Sequence, residues 1–397
     1  MERITAELLL EASSSDSLAG GLTIRSALEP LGGQGAPVKP AVYAGSPPGF
    51  QTEKRWWLTG DAPQVTTVIV IDNVPSQANR SEAALQYRAE ALGLPELVLD
   101  LSVAGPLPPH LPQRLSSFQF PHRHADAYLR DALLEGEAFP KSEEGRALFA
   151  ATAHAPHALL RWSPQSLVYG FWQSHLGKGR SQAKLARAWR SEIVGYAPAD
   201  GDARQRGLKG DPMNLAKGEG VHYPEGDPSG WLVGSAPKGR KKGELSDLGH
   251  GQVPVGGDGS SAPVAVSFAA IEQRATLSLP DLRRVVFEDE EKSSAARALL
   301  AALAFVGHAR AHAGAFSLRS GADLRVAATS WTWMGVDADI DVEPLAPDAA
   351  EQLLAVVVDR AEQVGLPVGS GWQPRVLQLE PNASLRKAVA ATYPVED

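Results

Sequence analysis

The chain has 397 residues, 43% of them hydrophobic, and a formal net charge of −8. That is enough apolar material for a large core and for one to three domains. No run reaches the roughly 18 apolar residues that a membrane span requires. The absence of Cys excludes disulfides, a thiol nucleophile and a Cys-based zinc site. Because acidic residues stand near the N-terminus where a secretory signal would be basic, we expect a soluble cytoplasmic protein.

The pattern of apolar residues predicts alternating strands and helices without an internal repeat. Strands are predicted at 21–29, 65–72, 96–102, 166–172 and 322–329. Helices are predicted at 2–12, 76–92, 122–153 in two pieces, 181–196, 293–313, 347–364 and 383–392. Elements that alternate in this way predict the α+β class.

One segment differs from this pattern and is predicted to be an insertion. Residues 197–262 are Gly-rich, since 15 of the 38 Gly fall between 201 and 259. With few aliphatic residues this insertion has no core of its own, so we expect it to be mobile unless it packs on a partner. Earlier in the chain, a Pro-rich link at 104–112 favours extended backbone between the strand at 96–102 and the helices at 122–153.

Charge is distributed unevenly along the chain. Residues 161–243 contain 14 Lys and Arg against 7 Asp and Glu, a local charge of +7. Binding to a polyanion depends on local charge more than on the total. A basic segment in an acidic chain therefore favours RNA binding, although an ordinary basic surface loop has the same composition.

A polar motif follows the strand at 65–72, whose unbroken β-branched run predicts burial on both faces. The next helix begins near Pro75, and we expect its first turn to face solvent. Free amides and the positive end of the helix dipole favour an anion there, and Asn and Arg can bind phosphate or base edges. A capped helix with a solvated first turn is the alternative. The candidate RNA-binding residues in this turn are Ser76, Gln77, Asn79 and Arg80.

A second constellation spans residues 167–196, where a Gly-rich basic loop leads into a predicted helix. Backbone amides, Lys178 and Arg180 would converge on a phosphate at the start of that helix. The loop is not a Walker A loop, because Gly179 stands where Ser or Thr would bind Mg²⁺. Lys184 and Arg187 are three residues apart and would share one helix face, which is equally typical of a solvated amphipathic helix.

Further candidates lie in the Gly-rich insertion. Tyr223 and Trp231 either stack on bases or pin the insertion to the body of the protein. The basic residues expected to contact phosphates are Lys238, Arg240, Lys241 and Lys242.

Metal and catalytic sites are not predicted. The pairs His122/His124, His154/His157 and His308/His312 lack carboxylates at ligand spacing, so we interpret them as capping or surface residues. Acidic residues alternate between Asp337 and Glu343, which is typical of a solvated edge strand. Buried tryptophans of the core or of a subunit contact are expected at Trp331, Trp333 and Trp372. We expect no cofactor and no catalytic residue.

Five segments resemble, in order, the repeated RAMP-superfamily backbone subunit of type I-G (formerly I-U) CRISPR effector complexes, called Cascade. The first is the strand entry at 21–43, and the second is the string from Asp72 through Ser76-Gln77-Ala78-Asn79-Arg80 to Glu82. The remaining segments are the 167–196 module, the stretch from Val266 to Arg284, and Leu318-Arg-Ser-Gly321.

This resemblance implies a single RAMP-type domain over 1–397 with a modified ferredoxin-like (RRM-like) core, the palm. The insertion at 104–164 would be finger-like, and the insertion at 197–262 would be a thumb or finger. Several head-to-tail copies would coat the spacer of a CRISPR RNA and present it for base pairing with target DNA. The large subunit and the guide-end-binding RAMP subunit would be further partners, with no membrane involved.

Two alternatives remain open on the sequence. An RNA-cleaving RAMP protein would aim an acid or histidine such as Asp72, Asp126 or His175 at the scissile phosphate, although nothing around these residues indicates activation. A protein scaffold without RNA contact is the other alternative, and the basic segment disfavours it.

Overall fold

The computed structural model describes most of the chain. The described residues are 1–44, 49–58, 63–173, 183–199, 207–209, 213, 220–225, 227–234, 238–248, 250, 253–255 and 265–393. Among them, no helix is both long and apolar enough to cross a membrane.

The described residues form ten α-helices and 22 strands. The helices are α1 (Ala6–Ala12), α2 (Val74–Arg88), α3 (Ala127–Arg130), α4 (Glu143–Ala150), α5 (His157–Trp162), α6 (Pro164–Tyr169), α7 (Leu279–Leu282), α8 (Glu290–His312), α9 (Pro347–Gln363) and α10 (Ala383–Thr392). The strands are β1 (Gly21–Pro30), β2 (Val42–Tyr43), β3 (Gly49–Phe50), β4 (Thr52–Trp57), β5 (Gln64–Asp72), β6 (Glu96–Asp100), β7 (Arg114–Ser116), β8 (Ala132–Leu134), β9 (Glu137–Ala138), β10 (Phe171–Gln173), β11 (Ala183–Leu185), β12 (Trp189–Pro198), β13 (Gly207–Lys209), β14 (Val221–Tyr223), β15 (Leu232–Val233), β16 (Lys241–Gly243), β17 (Val253–Val255), β18 (Phe268–Ser278), β19 (Ala315–Ser317), β20 (Asp323–Met334), β21 (Asp339–Val342) and β22 (Val376–Pro381).

The central sheet has eight strands in the order β19-β20-β1-β18-β12-β5-β4, with β21 also paired to β20. Four of its strands, in the order β20-β1-β18-β12, are antiparallel to their neighbours. In the chain α2 lies between β1 and β12, and α8 lies between β18 and β20. This β-α-β-β-α-β succession is the ferredoxin-like arrangement, extended by β5 and β4 beyond β12. The predicted α+β class is therefore confirmed.

One face of this sheet forms the main core because apolar side chains alternate along its strands. Ile24 of β1 lies opposite Ala275 of β18 and Trp331 of β20, and all three are buried. The neighbouring α8 is buried along most of its length. Its Phe305 contacts Trp189 and Trp331 at ring-centroid distances of 6.1 and 6.0 Å. Aromatic rings therefore join the long helix to two strands, β12 and β20.

A second, five-stranded sheet has the order β7-β6-β22-β8-β9, in which β22 runs parallel to β6. The predicted insertion at 104–164 contributes β7, β8 and β9 to it, together with α3, α4 and α5. Within 197–262, the described residues form a three-stranded sheet, β15-β14-β16, and the pair β13-β17. The division of the chain into one domain with two insertions stays a prediction.

Several predicted elements are confirmed. The strands predicted at 21–29, 65–72, 96–102 and 322–329 correspond to β1, β5, β6 and β20. The helices predicted at 293–313, 347–364 and 383–392 correspond to α8, α9 and α10. The edge strand predicted between Asp337 and Glu343 is β21, and Trp331, Trp333 and Trp372 are buried in the core. Burial of β5 on both faces holds only from Val68 onward, since Val65 is 55% exposed.

The predictions for residues 166–196 are wrong. The apolar run at 166–172 begins inside α6, which ends before Gly170, where a φ of +74° turns the chain into β10. Residues 181–196, predicted as a helix, instead contain β11 and most of β12. Ala, Lys and Arg favour a helix locally, but β12 pairs with β18 on one side and with β5 on the other. Sheet pairing therefore outweighs the local preference.

One carboxylate joins three helices. Glu351 of α9 accepts hydrogen bonds from Arg88 at the end of α2, at 2.9 Å, and from Arg310 at the end of α8, at 2.7 Å. These bonds, first that of Arg88, lower the pKa of Glu351 to about 2. Folding therefore favours the ionised form of Glu351.

We predict that Glu351→Gln lowers the unfolding free energy in a pH-dependent way. The folded-state pKa of Glu351 lies below its ordinary value, so its charge stabilises the fold fully above about pH 5 and less as the pH falls towards about 2. The difference in unfolding free energy between the two proteins should therefore be largest above about pH 5 and should shrink as the pH falls. Urea denaturation of both proteins from pH 7 to pH 2.5 measures this difference. Glu11→Gln removes an exposed carboxylate without an ion pair among the described residues and serves as the control. A loss that stayed constant over this pH range would contradict the role of the Glu351 charge.

Candidate nucleic-acid interface

The carboxylate of Asp72, at the end of β5, is fully buried and accepts several hydrogen bonds. Two donors are Ser76 Oγ, at 2.9 Å, and Gln77 Nε2, at 2.6 Å, both in the first turn of α2. Arg80 donates through Nε, at 2.9 Å, and through a terminal nitrogen, at 3.3 Å. Arg319, which is 247 residues away along the chain, donates a further hydrogen bond of 2.6 Å to the Asp72 carboxylate. We call these five residues the Asp72 network.

The Asp72 network joins two segments that are far apart in sequence. Arg80 also donates to the carbonyl of Leu318, at 2.8 Å. Arg319 also donates to the carbonyls of Lys39 and Ile71, at 3.2 and 2.9 Å. Thus the motif at 76–80 and the motif at 318–321 converge on one buried charge.

The prediction that the first turn of α2 faces solvent is wrong for Gln77. Its side chain is fully buried, and its Oε1 accepts hydrogen bonds from Ser191 and Gln273, both at 2.9 Å. Ser76 and Arg80 are partly buried on Asp72, whereas Asn79 is exposed. The physical reason is that a buried carboxylate requires donors, and the first two turns of α2 supply three of them. RNA contact by these residues stays a prediction.

A second buried ion pair positions the segment that follows α6. Arg123 donates two bonds of 2.8 Å to Glu82 of α2 and one of 3.0 Å to the carbonyl of Gly170. Burial raises the pKa of Glu82, although the charge of Arg123 acts in the opposite direction. Arg123 thereby ties α2 to the turn at Gly170, where a Cβ would lie 2.7 Å from the carbonyl oxygen of Leu185. The turn therefore requires glycine.

Beyond Gly170 the chain forms a β-hairpin, β10–β11. Trp172 lies opposite Lys184 in its register, and both side chains are exposed, Trp172 at 59%. Lys178 and Arg180 lie between the two strands and outside the described residues, as does His175. Because Lys184 lies on a strand, the predicted helix face shared with Arg187 is wrong.

Lys184, Arg187 and Arg190 follow one another along the chain from β11 into β12, and Arg284 shares a carboxylate with Arg190; we call these four residues the basic strip. Arg190 Nε donates to the carbonyl of Arg187 at 3.4 Å. Arg190 and Arg284 both pair with Asp281, at 2.9 and 3.6 Å, and their side chains are 57% and 62% exposed. Two guanidinium groups therefore share one carboxylate. Burial, and then the nearby charge of Arg123, lowers the pKa of the half-buried Arg187.

Sequence reasoning missed part of the basic strip and Trp172. Arg190 and Arg284 lie inside segments that carry the family resemblance, but neither was selected as a site residue. The alternation Trp189-Arg190-Ser191-Glu192-Ile193 is typical of a strand and would have placed Arg190 on the face opposite Trp189. The helix prediction for 181–196 concealed this signal.

The remaining candidates lie in the 197–262 insertion. Lys238, Lys241 and Lys242 are exposed, whereas Arg240 donates to the carbonyl of Gly230. The rings of the two aromatic candidates pack within the same insertion. Tyr223 lies against Gly243, where a Cβ would come within 2.5 Å of its ring, and Trp231 lies 5.4 Å from His250. These contacts hold the insertion together, and stacking on bases stays a prediction.

The interpretation of the histidines as capping or surface residues is wrong for three of them. His124, His308 and His312 are buried, because apolar and aromatic side chains surround them. Burial lowers the pKa of His124 to about 3, that of His312 to about 4 and that of His308 well below its ordinary value. In the described part of the chain, no group of three or more His, Cys, Asp or Glu is placed to hold a metal ion.

One comparison with known proteins bears on identity. Residues 22–198 match the model of a family described as CRISPR-associated protein GSU0053 (Cas_GSU0053). The match begins in β1, ends with β12, and covers somewhat less than half of the chain. It supports a CRISPR-associated protein with a role in CRISPR–Cas defence. No curated protein matches the chain.

We predict that Arg80→Ala and Asn79→Ala have different effects on stability. Arg80→Ala removes two bonds to a buried carboxylate and should lower the unfolding free energy by about 1.5–3 kcal/mol. The exposed Asn79→Ala is the matched control on the same helix turn and should stay within about 0.5 kcal/mol of wild type. Chemical denaturation compares the three proteins. Equal losses for both variants would contradict a structural role for Arg80.

Proposed function

We propose that this chain is the backbone subunit of a type I-G Cascade complex. It binds the spacer of a CRISPR RNA in several head-to-tail copies and presents it for base pairing with target DNA. The observation that carries this proposal is the basic strip beside the hairpin that bears Trp172. The family match to residues 22–198 supports the CRISPR context, and the ferredoxin-like core agrees with a RAMP-type palm.

The chemistry of the basic strip suits an RNA backbone. Arg190 and Arg284 share the single carboxylate of Asp281, so the trio retains a positive charge on exposed side chains. A guanidinium group keeps free donors in this arrangement and can bind a phosphate without losing its protein partner. Phosphate contacts position an RNA but carry no base information. A subunit that grips any spacer needs this kind of contact.

The other candidates have different places in the proposal. Lys178 and Arg180 lie outside the described residues and stay proposed phosphate contacts. The lysines of the 197–262 insertion would contact the guide as the thumb or a finger. Asn79 remains a candidate contact, whereas Ser76, Gln77 and Arg80 would act by holding α2 in place. The large subunit and the guide-end-binding RAMP subunit are the expected partners in the complex.

We also propose that the chain is not catalytic. Asp72 is engaged by two arginines, an amide and a hydroxyl, so it is poorly placed to accept a proton from a ribose hydroxyl. Asp126 caps α3 by accepting from the backbone amide of Tyr128 at 3.0 Å, and it accepts from that of His122 at 3.0 Å. These contacts give no support to the endoribonuclease alternative.

We predict that Arg190→Ala combined with Arg284→Ala weakens binding to guide RNA by about tenfold at moderate salt. If both residues contact phosphates, the slope of log affinity against log salt falls by about 1.4, at roughly 0.7 per contact on a single strand. The variant should lose the same factor in affinity for two guides with unrelated spacers. Arg360→Ala, on the exposed face of α9, is the control and should bind as wild type does.

Titrations at four salt concentrations with two guides test this prediction. Denaturation of each variant in parallel separates a loss of contact from a loss of folding. An unchanged salt slope, or a loss that depends on spacer sequence, would contradict phosphate binding by the basic strip.

A further inference from the structure

The two ends of the central sheet carry an exposed apolar projection and a groove with apolar walls. Strand β4 forms one edge, and β21 lies beyond β20 at the other. Seven strands spaced by about 4.8 Å place these edges roughly 29 Å apart. A contact between the two edges therefore requires two molecules.

The β4 edge exposes an apolar projection, which we call the apolar knob: Trp56, Leu58 and Val65. Their exposed fractions are 61%, 58% and 55%. Trp56 and Val65 lie directly opposite each other in the β4–β5 register, so their side chains form one surface. Lys54, two residues before Trp56, is exposed on the same face. Among described residues it contacts the hydroxyl of Thr67 and no carboxylate.

The opposite edge contains a groove with a volume of about 390 Å³, which we call the edge groove. It lies between the N-terminal segment, residues 343–346 and α9. Its walls are mainly aliphatic and include Ile4, Leu345, Leu353 and Val356, the last of which is 53% exposed. A groove of this size and polarity accommodates an indole ring.

The two edges also carry opposite charges. Beside the edge groove, the segment from Asp337 to Glu343 contains four acidic residues and no basic one. Glu343 pairs with Arg3, but Asp337, Asp339 and Asp341 form no ion pair within the described part of the chain. Lys54 beside the apolar knob has the opposite charge. Complementary charges of this kind select and orient a partner.

We infer that the apolar knob of one copy docks into the edge groove of a second copy, with Lys54 facing the acids of β21. The choice of a second copy as occupant rests on the proposed function, which requires several copies, and on the fact that one chain carries both complementary features. The two surfaces differ, so the contact is heterologous and each added copy presents a fresh surface. A row of copies follows without any closed symmetry.

The absence of Cys from the chain makes this contact testable by disulfide trapping. We would combine Leu58→Cys, in the apolar knob, with Gln352→Cys, which lines the edge groove. Under mild oxidation, with and without guide RNA, the double variant should form a ladder of linked copies on a non-reducing gel. A mixture of the two single variants should stop at the dimer, because each single variant carries only one half of the crosslink.

The matched control combines Gln352→Cys with Tyr87→Cys. Tyr87 lies on α2, is 89% exposed and belongs to neither the apolar knob nor the edge groove. This double variant should give no ladder. Trp56→Ala in the trapping variant should abolish the ladder. Lys54→Glu and Asp341→Lys should each weaken it, and the two changes together should restore it.

A ladder in either condition supports the contact. No ladder in either condition, or an equal ladder from the Tyr87 control, would overturn it. RNA titration of the same protein is scored separately. A ladder without RNA binding would support this contact and contradict the proposed function. RNA binding without a ladder would contradict this contact and leave the proposed RNA binding supported.

Discussion

The buried carboxylate of Asp72 is the constraint on which the surrounding structure depends. An ionised group without solvent is tolerated only when hydrogen bonds and opposite charges replace its hydration. Two arginines, one amide and one hydroxyl meet this requirement for Asp72. Because these donors come from α2 and from the 318–321 loop, the same contacts fix the start of a helix and a distant turn.

The constraint extends along α2 towards the basic strip. Two residues after Arg80, Glu82 forms its buried pair with Arg123, which in turn holds the carbonyl of Gly170. Gly170 begins the turn into β10. Strand β10 pairs with β11, which contains Lys184. At its other end, α2 is tied to α8 and α9 through Glu351. Buried or half-buried ion pairs therefore join the sheet, the helix layer and the hairpin.

Much of the fold, but little of the site, could be predicted from the sequence. The apolar runs of β1, β5 and β20 and the long Ala-rich α8 carry clear periodic signals, and the structure confirms them. The helix prediction for 181–196 failed because the Ala, Lys and Arg content of this segment favours a helix, whereas the pairing partners of β12 lie at least 70 residues away along the chain. Local sequence contains no information on such partners.

The same limit explains the interpretation of the 76–80 motif. Polar residues in the first turn of a helix usually face water, and no local signal shows that Asp72 is buried. Arg319, which completes its hydrogen bonding, stands 247 residues further along the chain. The residues around Asp72 have a structural role that the motif by itself does not show. The shared contact of Arg190 and Arg284 could not be predicted for a similar reason, since only the folded chain brings both side chains to Asp281.

The central claim is that this chain binds a CRISPR guide, and expression together with its native CRISPR array tests it most directly. The protein would be purified under native conditions, and the nucleic acid that accompanies it would be extracted and sequenced. The account predicts a discrete RNA that contains spacer sequence flanked by repeat sequence. A preparation free of RNA, or one that carries random cellular RNA, would contradict it.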